Sequence, residues 1–127
     1  MRIAFTANDG GNDIDRYGIA CGVSSASGEY VLFQRDAENA KEGFGIHFEY
    51  KDQLFSGYEC VAACRFSSNM MSVDLAKPLD KRHHAIKDVT GFDIALQLSP
   101  GKWNEIRDGL KQVFRDEDDK LAITEPT

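Results

Sequence analysis

Hydrophobic and polar residues alternate along several stretches of this chain, and alternation with a period of two predicts β-strands that bury one face. The predicted strands are residues 2–7, 17–23, 29–35, 46–51, 58–66, 70–75 and 92–98. The turn-forming sequence Ser24–Gly28 separates the second strand from the third, so residues 17–35 are expected to form a β-hairpin. The pattern therefore predicts a protein built mainly on a β-sheet.

Residues 46–75 are the clearest β region, and they predict three consecutive antiparallel strands. The sequence IHFEYK at residues 46–51 alternates apolar with polar positions, which is typical of a sheet with one buried and one solvated face. Residues 52–57 are expected to link this strand to the next. In that second strand, every other residue from Cys60 to Phe66 would share one face.

The strand at residues 17–23 has an unusual second face. Its apolar face carries Ile19, Cys21 and Val23, whereas Gly18, Ala20 and Gly22 point the other way. Such small residues often mark the close approach of another backbone. We therefore expect the helix or another backbone to pack closely on this face.

Three polar stretches predict connections. Residues 8–15 (NDGGNDID) are rich in Asn, Asp and Gly and predict a loop. Residues 36–43 could hold one helical turn, and residues 78–91 form a longer polar connection that could include a short helix.

The clearest helix begins after residue 98. Ser99 occupies the expected N-cap and Pro100 the first helical position. The apolar residues that follow fall on one helical stripe, which would cover the sheet. They are Trp103, Ile106, Leu110, Val113 and Phe114. The acidic run at residues 116–119 opposes the helix dipole and is expected to end the helix.

The length of 127 residues fits one domain that buries a substantial core. Hydrophobic residues make up 42% and charged residues 28% of the chain, ordinary values that require no metal or disulfide for folding. We expect an α+β fold: a single antiparallel, twisted sheet of about six strands packed on a C-terminal amphipathic helix. The domain would span residues 1–120, with a loose tail over residues 121–127.

The net charge of −6 argues against nucleic acid as a partner, because binding to phosphates requires clustered Lys and Arg. It is compatible with a basic protein partner, although acidity also simply keeps proteins soluble. The first residues do not resemble a signal peptide, and no apolar stretch is long enough to span a membrane. With three cysteines, an odd number, the chain is expected to be cytoplasmic with reduced thiols.

Candidate catalytic and metal-binding groups are sparse. His83 and His84 are adjacent and therefore poorly placed to ligate one ion together, and they are expected to lie in a solvated loop. Cys60 and Cys64 would be about 13 Å apart on a strand, at roughly 3.3 Å per residue, and are expected to be buried small hydrophobes. A carboxylate pair of Glu49 and Asp74 on adjacent strands stays open.

Residues 8–15 lack the ligand spacing of a calcium loop. The sequence thus predicts no catalytic residues, no cofactor and no metal.

Across residues 46 to about 114, the chain resembles a family of small immunity proteins of bacterial polymorphic toxin systems, the class known as immunity protein ten. The most specific segment is YKDQLFSGY at residues 50–58. The other matching features are Phe48-Glu49-Tyr50, Asp74-Leu75, Gly91-Phe92-Asp93-Ile94, Trp103, Leu110 and Val113-Phe114. The resemblance implies a cytoplasmic, acidic, non-enzymatic protein that binds and neutralises a cognate toxin domain. It supplies no catalytic residues.

The expected partner-binding surface combines the polar face of residues 46–51 with the segment that follows. It consists of His47, Glu49, Lys51, Asp52, Gln53, Tyr58 and Glu59. The acidic members would steer a basic toxin. Two alternatives remain: a small metal-dependent hydrolase that uses the His83/His84 region, and a structural module that self-assembles through a sheet edge.

Overall fold

The computed structural model describes residues 1–16, 18–36, 45–79 and 88–126 of the chain. Within these ranges it has ten β-strands, one α-helix and one short 3₁₀ helix. The elements are β1 (Arg2–Ala7), β2 (Asp9–Asp15), β3 (Gly18–Ser24), β4 (Tyr30–Asp36), β5 (His47–Tyr50), β6 (Asp52–Tyr58), β7 (Val61–Phe66), β8 (Met70–Leu75), β9 (Gly91–Leu96), α1 (Pro100–Val113), the 3₁₀ helix (Asp118–Lys120) and β10 (Leu121–Ile123). Among the described residues, no helix is both long and apolar enough to cross a membrane.

The strands form two five-stranded sheets, so the expected single sheet of about six strands is wrong, whereas the α+β class is confirmed. Sheet A has the order β1-β9-β8-β7-β10, and sheet B has the order β2-β3-β4-β5-β6. Sheet B is antiparallel throughout. Sheet A pairs β1 with β9 and β10 with β7 in parallel, so the expectation of a purely antiparallel sheet is also wrong.

The chain crosses between the sheets at two corners. It passes from sheet A to sheet B at Asn8, whose backbone N–H donates to the carbonyl of Ser24 at 3.0 Å. It returns to sheet A at Glu59 and Cys60, where Glu59 has the left-handed φ of 56°. Residues 46–75 are therefore not one meander, because β5 and β6 belong to sheet B and β7 and β8 to sheet A. Strands that switch sheets through such bends are a common way to make corners between packed sheets.

The predicted link at residues 52–57 is wrong, because these residues form most of β6 and pair with β5. In β7, Ala62 is exposed and does not share the buried face of Cys64 and Phe66. The cause is a register shift against β8 between Val61 and Ala63, which an alternating pattern does not reveal.

The two sheets share one hydrophobic core. Phe33 and Phe48 of sheet B are fully buried, with ring centroids 5.0 Å apart. Phe48 also contacts Phe92 of sheet A, at a centroid distance of 5.4 Å. Each such ring contributes about 1.5–3 kcal/mol by its burial, so the inner faces hold the two sheets together.

Helix α1 has the predicted start and apolar face, but it ends at Val113, before the acidic run that was expected to end it. Ser99 caps it by accepting a hydrogen bond from the N–H of Lys102 at 3.2 Å, and Pro100 opens it. All five residues of the predicted stripe are buried. Trp103 stacks on Phe66 of sheet A, with ring centroids 4.7 Å apart, and Cys21 of sheet B donates its S–H to the carbonyl of Ile106 at 3.4 Å.

The predicted loop at residues 8–15 is wrong, since Asp9–Asp15 is the edge strand β2. Helix α1 stabilises this strand. The backbone N–H of Asn12 donates to the Glu105 carboxylate at 3.0 Å, and the Asn12 side-chain amide donates to the Glu105 carbonyl at 2.6 Å. A composition typical of turns therefore forms a strand here because a partner 93 residues away binds it.

The tail is not loose over Leu121–Ile123, which pairs in parallel with β7 as β10. Thr124 continues this pairing by donating its N–H to the carbonyl of Phe66 at 2.9 Å. Glu125 then accepts a hydrogen bond from Arg107 at 3.2 Å. Of the connections expected to contain helical turns, residues 37–43 and 80–87 lie outside the described residues.

Candidate functional site: the outer face of sheet B

The outer face of sheet B carries one continuous cross-strand row of residues, here called the polar row. Helix α1 and the core occupy the opposite face through Cys21, Phe33 and Phe48. Strand register places one residue of each strand directly beside the next. The members, from β2 to β6, are Asp13, Ala20, Gln34, His47 and Tyr58. Hydrogen bonding along five strands gives these side chains a fixed relative arrangement.

The small residues of this face lie close to another backbone, one of the two expected alternatives, whereas the other alternative is wrong because α1 packs on the opposite face. A Cβ atom at Gly22 would lie 2.3 Å from the carbonyl oxygen of Val31. A Cβ atom at Gly18 would lie 2.3 Å from that of Arg35. The close approach thus comes sideways, from the backbone of β4 within the sheet. Ala20, between the two glycines, stays half-buried.

His47 and Tyr58 form the aromatic end of the polar row. Their rings meet edge to face, with centroids 4.8 Å apart, and the Tyr58 side chain is 47% exposed. Nδ1 of His47 is 3.1 Å from the side-chain oxygen of Gln34, which fixes the imidazole on the sheet. Together with Asp36 and Gly45, these residues line a surface depression of about 170 Å³, here called the Tyr58 depression.

Carboxylates surround the other end of the polar row. Asp13, Asp15 and Asp36 line a second depression of about 260 Å³, here called the Asp13 depression, which Gly18 and Ala20 help to line. Asp15 accepts a hydrogen bond from the N–H of Gly18 at 3.1 Å. Within the described ranges, the carboxylates of Asp13 and Asp36 make no hydrogen bond or ion pair. The two depressions share Gln34, Arg35 and Asp36, so they adjoin.

Arginine and lysine barely contribute to this face. The five strands of sheet B contain six carboxylate residues but no lysine and a single arginine, Arg35. The Arg35 side chain lies on the inner face, 5% exposed, and donates to the carbonyl of Val113 at 2.9 Å. It also pairs with Asp116 at 3.1 Å. A cation bonded to the last carbonyls of a helix complements its dipole, so the charge of Arg35 stabilises α1 and does not lie on the outer face.

Glu49 is not the exposed binding residue that alternation predicts. It is 7% exposed and accepts a short hydrogen bond from the hydroxyl of Tyr30. Burial, followed by this bond to the Glu49 carboxylate, raises the pKa of Tyr30 to about 12, so the phenol keeps its proton. Tyr30 covers the Glu49 carboxylate, so the pair stabilises the sheet and Glu49 is not available to a partner.

The remaining predicted site residues lie around the β5–β6 hairpin. Lys51 occupies the tight turn with a left-handed φ of 64°, and Asp52 follows it; both are exposed. Glu59 is exposed at the corner where the chain leaves sheet B. The side chain of Gln53 lies outside the described atoms. Of the seven residues, the structure therefore brings His47 and Tyr58 into direct contact.

Sequence reasoning missed Asp13, Gln34 and Asp36. The available signal was the alternation of Gly18, Ala20 and Gly22, which identified an unusual face but not its neighbours. The composition of β2 is typical of a loop and gives no sign that Asp13 lies on a strand. The polar composition of residues 36–43 predicts a connection that begins at Asp36. Assigning them to this face needs the cross-strand register, which the sequence alone does not give.

The outer face of sheet A differs because its charges are paired. Arg2 donates to Asp93 at 2.9 Å and to Asp74 at 2.8 Å, and Arg65 donates to Asp74 at 2.8 Å. The bond from Arg65 is the main cause that lowers the pKa of Asp74, and the bond from Arg2 is the main cause for Asp93. The two arginines and two aspartates are all the formally charged residues of the five strands of sheet A.

Other candidate chemistry is not assembled by the described residues. Glu49 and Asp74 lie in different sheets, so the expectation that they sit on adjacent strands is wrong. No group of three or more His, Cys, Asp and Glu side chains in the described part of the chain could hold a metal ion. His83 and His84 lie outside it. The three cysteines are free and buried, as predicted, and burial raises the pKa of the Cys21 and Cys64 thiols to about 12.

Comparisons of the chain with protein-family models, with curated proteins and with solved structures found no match.

Proposed function

We propose that this protein binds a basic protein partner through the outer face of sheet B, and that the partner is a bacterial toxin domain. Binding occupies the surface of the toxin and neutralises it without chemistry. The protein would then be a cytoplasmic immunity protein of a polymorphic toxin system, the class to which residues 46–114 show a resemblance. The observation that carries the proposal is the polar row together with the unpaired carboxylates of Asp13, at its end, and of Asp36, beside it.

The arrangement of this face supports protein binding. Its side chains stand on a hydrogen-bonded sheet whose other side is fixed by α1 and the core, so little ordering entropy is lost on binding. Tyr58 offers an exposed aromatic ring, and tyrosine is among the residues that most often contribute large binding energies at interfaces.

The sign of the charge supports a basic partner. Carboxylates without neighbouring cations raise the rate of encounter with a positively charged surface and repel acidic proteins. A secreted toxin that acts on nucleic acid would itself be basic, and its substrate-binding surface would then complement this face.

We propose co-expression with a toxin domain, if one is encoded immediately upstream of this chain, as the test. We expect the chain to restore growth of cells that produce the toxin and to co-purify with it in a fixed ratio. The proposal is wrong if the chain neither rescues growth nor co-purifies with that domain. Purified protein must elute as a folded species in the same experiment, so that failure to bind is not failure to fold.

A further inference from the structure

We infer that the polar row and the adjacent Asp36 form a binding site for arginine side chains, so the segment of the partner that docks on sheet B presents guanidinium groups. This inference rests on the proposed function, since it names the chemistry of the partner at that surface. The site offers two adjoining positions for a guanidinium group, the Asp13 depression and the Tyr58 depression, and Asp36 lines both.

Unpaired carboxylates favour a cation at each position. Asp13 and Asp36 are exposed and make no hydrogen bond or ion pair among the described residues. Asp74 and Asp93 of sheet A, by contrast, each bind arginine within the protein. Sheet A thus shows that carboxylates on this fold accept guanidinium groups when a neighbouring strand supplies them. On sheet B no strand supplies one to the outer face.

The Tyr58 ring distinguishes arginine from lysine. His47 packs edge to face against Tyr58 at 4.8 Å, and Gln34 holds His47, so the phenol ring has a defined orientation. Asp36 lines the same depression. A planar guanidinium can stack on the ring and donate two hydrogen bonds to a carboxylate, whereas an ammonium group is a point charge.

Other occupants fit the site less well. Nucleic acid and acidic peptides carry the same sign of charge as the face. A metal ion would need several ligands within one coordination sphere, and the described residues contain no such group. An arginine-bearing protein segment satisfies the charge and the aromatic ring together.

The experiment uses three peptides of equal length, hexa-arginine, hexa-lysine and a neutral Gly-Ser peptide, titrated into the intact protein at low ionic strength. Amide chemical shifts locate binding, and titration gives the affinity. The test variant is Asp13→Asn/Asp36→Asn. Its matched control, Asp118→Asn/Asp119→Asn, removes the same charge from exposed residues of the 3₁₀ helix.

We expect hexa-arginine to shift the amides of Ala20, Gln34 and His47 and to bind about two- to fivefold more tightly than hexa-lysine. The test variant should bind hexa-arginine about tenfold more weakly, while the control variant binds like the wild type. Tyr58→Leu should remove the preference for arginine over lysine. Equal losses in the two double variants, or shifts centred outside sheet B, would overturn the inference.

Binding of the toxin domain to the wild type and to the test variant distinguishes failure of the arginine site from failure of the proposed function. If the toxin domain binds the wild type and the test variant with equal affinity and is neutralised by both, the arginine site is wrong, whereas neutralisation of a toxin by binding stands. If hexa-arginine binds as expected but the toxin domain neither binds nor loses activity, the proposed function is wrong.

Discussion

The outer faces of the two sheets use charge in opposite ways. Sheet A places two arginines and two aspartates so that every charge has a partner within 3 Å. Sheet B carries six carboxylates in its strands, and its single arginine, Arg35, points inward to the end of α1. Sheet A therefore uses its charges to hold its strands together, whereas sheet B leaves the carboxylates of Asp13 and Asp36 without a partner in the part of the chain that the structure describes.

The two faces can be compared in this way only if both sheets belong to one folded unit. Truncating a side chain of the shared core tests this, and it should have the largest effect on the free energy of unfolding. Phe48→Ala in sheet B and Phe92→Ala in sheet A should each lower the free energy of unfolding by about 3–5 kcal/mol. Urea denaturation should show a single transition for each, because Phe48 and Phe92 contact each other. Ile14→Ala, a truncation at a 62% exposed position, should cost less than about 0.5 kcal/mol. Two separate transitions would show that the sheets fold independently.

Neutralising one carboxylate on each outer face shows how much the charges of that face contribute to stability. Asp74→Asn should destabilise the protein by about 1 kcal/mol, a value reduced by its partial exposure, because it leaves Arg2 and Arg65 without their shared partner. Asp13→Asn should change stability by less than about 0.5 kcal/mol, since Asp13 has no partner among the described residues. Urea denaturation at neutral pH measures both. A loss for Asp13→Asn as large as that for Asp74→Asn would contradict the contrast between the faces.

Acid should weaken sheet A in particular, with a smaller effect. The folded-state pKa values of Asp74 and Asp93 lie below the ordinary value of 3.8, so folding favours their ionised forms. Their contribution to stability is complete above that value and is lost as the pH falls through the folded-state pKa values. Between about pH 5 and pH 3, the wild type should lose more unfolding free energy than Asp74→Asn/Asp93→Asn. Parallel stability curves for the two proteins would mean that the ion pairs contribute nothing.

Local pattern predicted the elements, while long-range contacts decided the architecture. Strand β1, the hairpin of β3 and β4, and α1 followed from alternation, from the turn between the strands, and from Ser99 and Pro100. The two sheets did not, because alternation shows which side of a strand is buried and not which strand lies beside it. Strand β2 was missed because its pairing depends on Glu105, far along the chain.

The candidate site was predicted in part for the same reason. His47 and Tyr58 were expected at the surface and are neighbours in the polar row. Glu49 follows the same alternation, yet Tyr30 from the neighbouring strand covers it. Asp13 and Asp36 join the site only through the register of β2, β3 and β4.

Amide chemical-shift changes that a neutralised toxin domain produces in this protein test most directly whether the outer face of sheet B is the binding surface. We predict changes along the polar row, at Ala20, Gln34, His47 and Tyr58, with the residues around Arg2 and Arg65 on sheet A unaffected. Changes centred on the outer face of sheet A, or on the exposed side of α1, would contradict it.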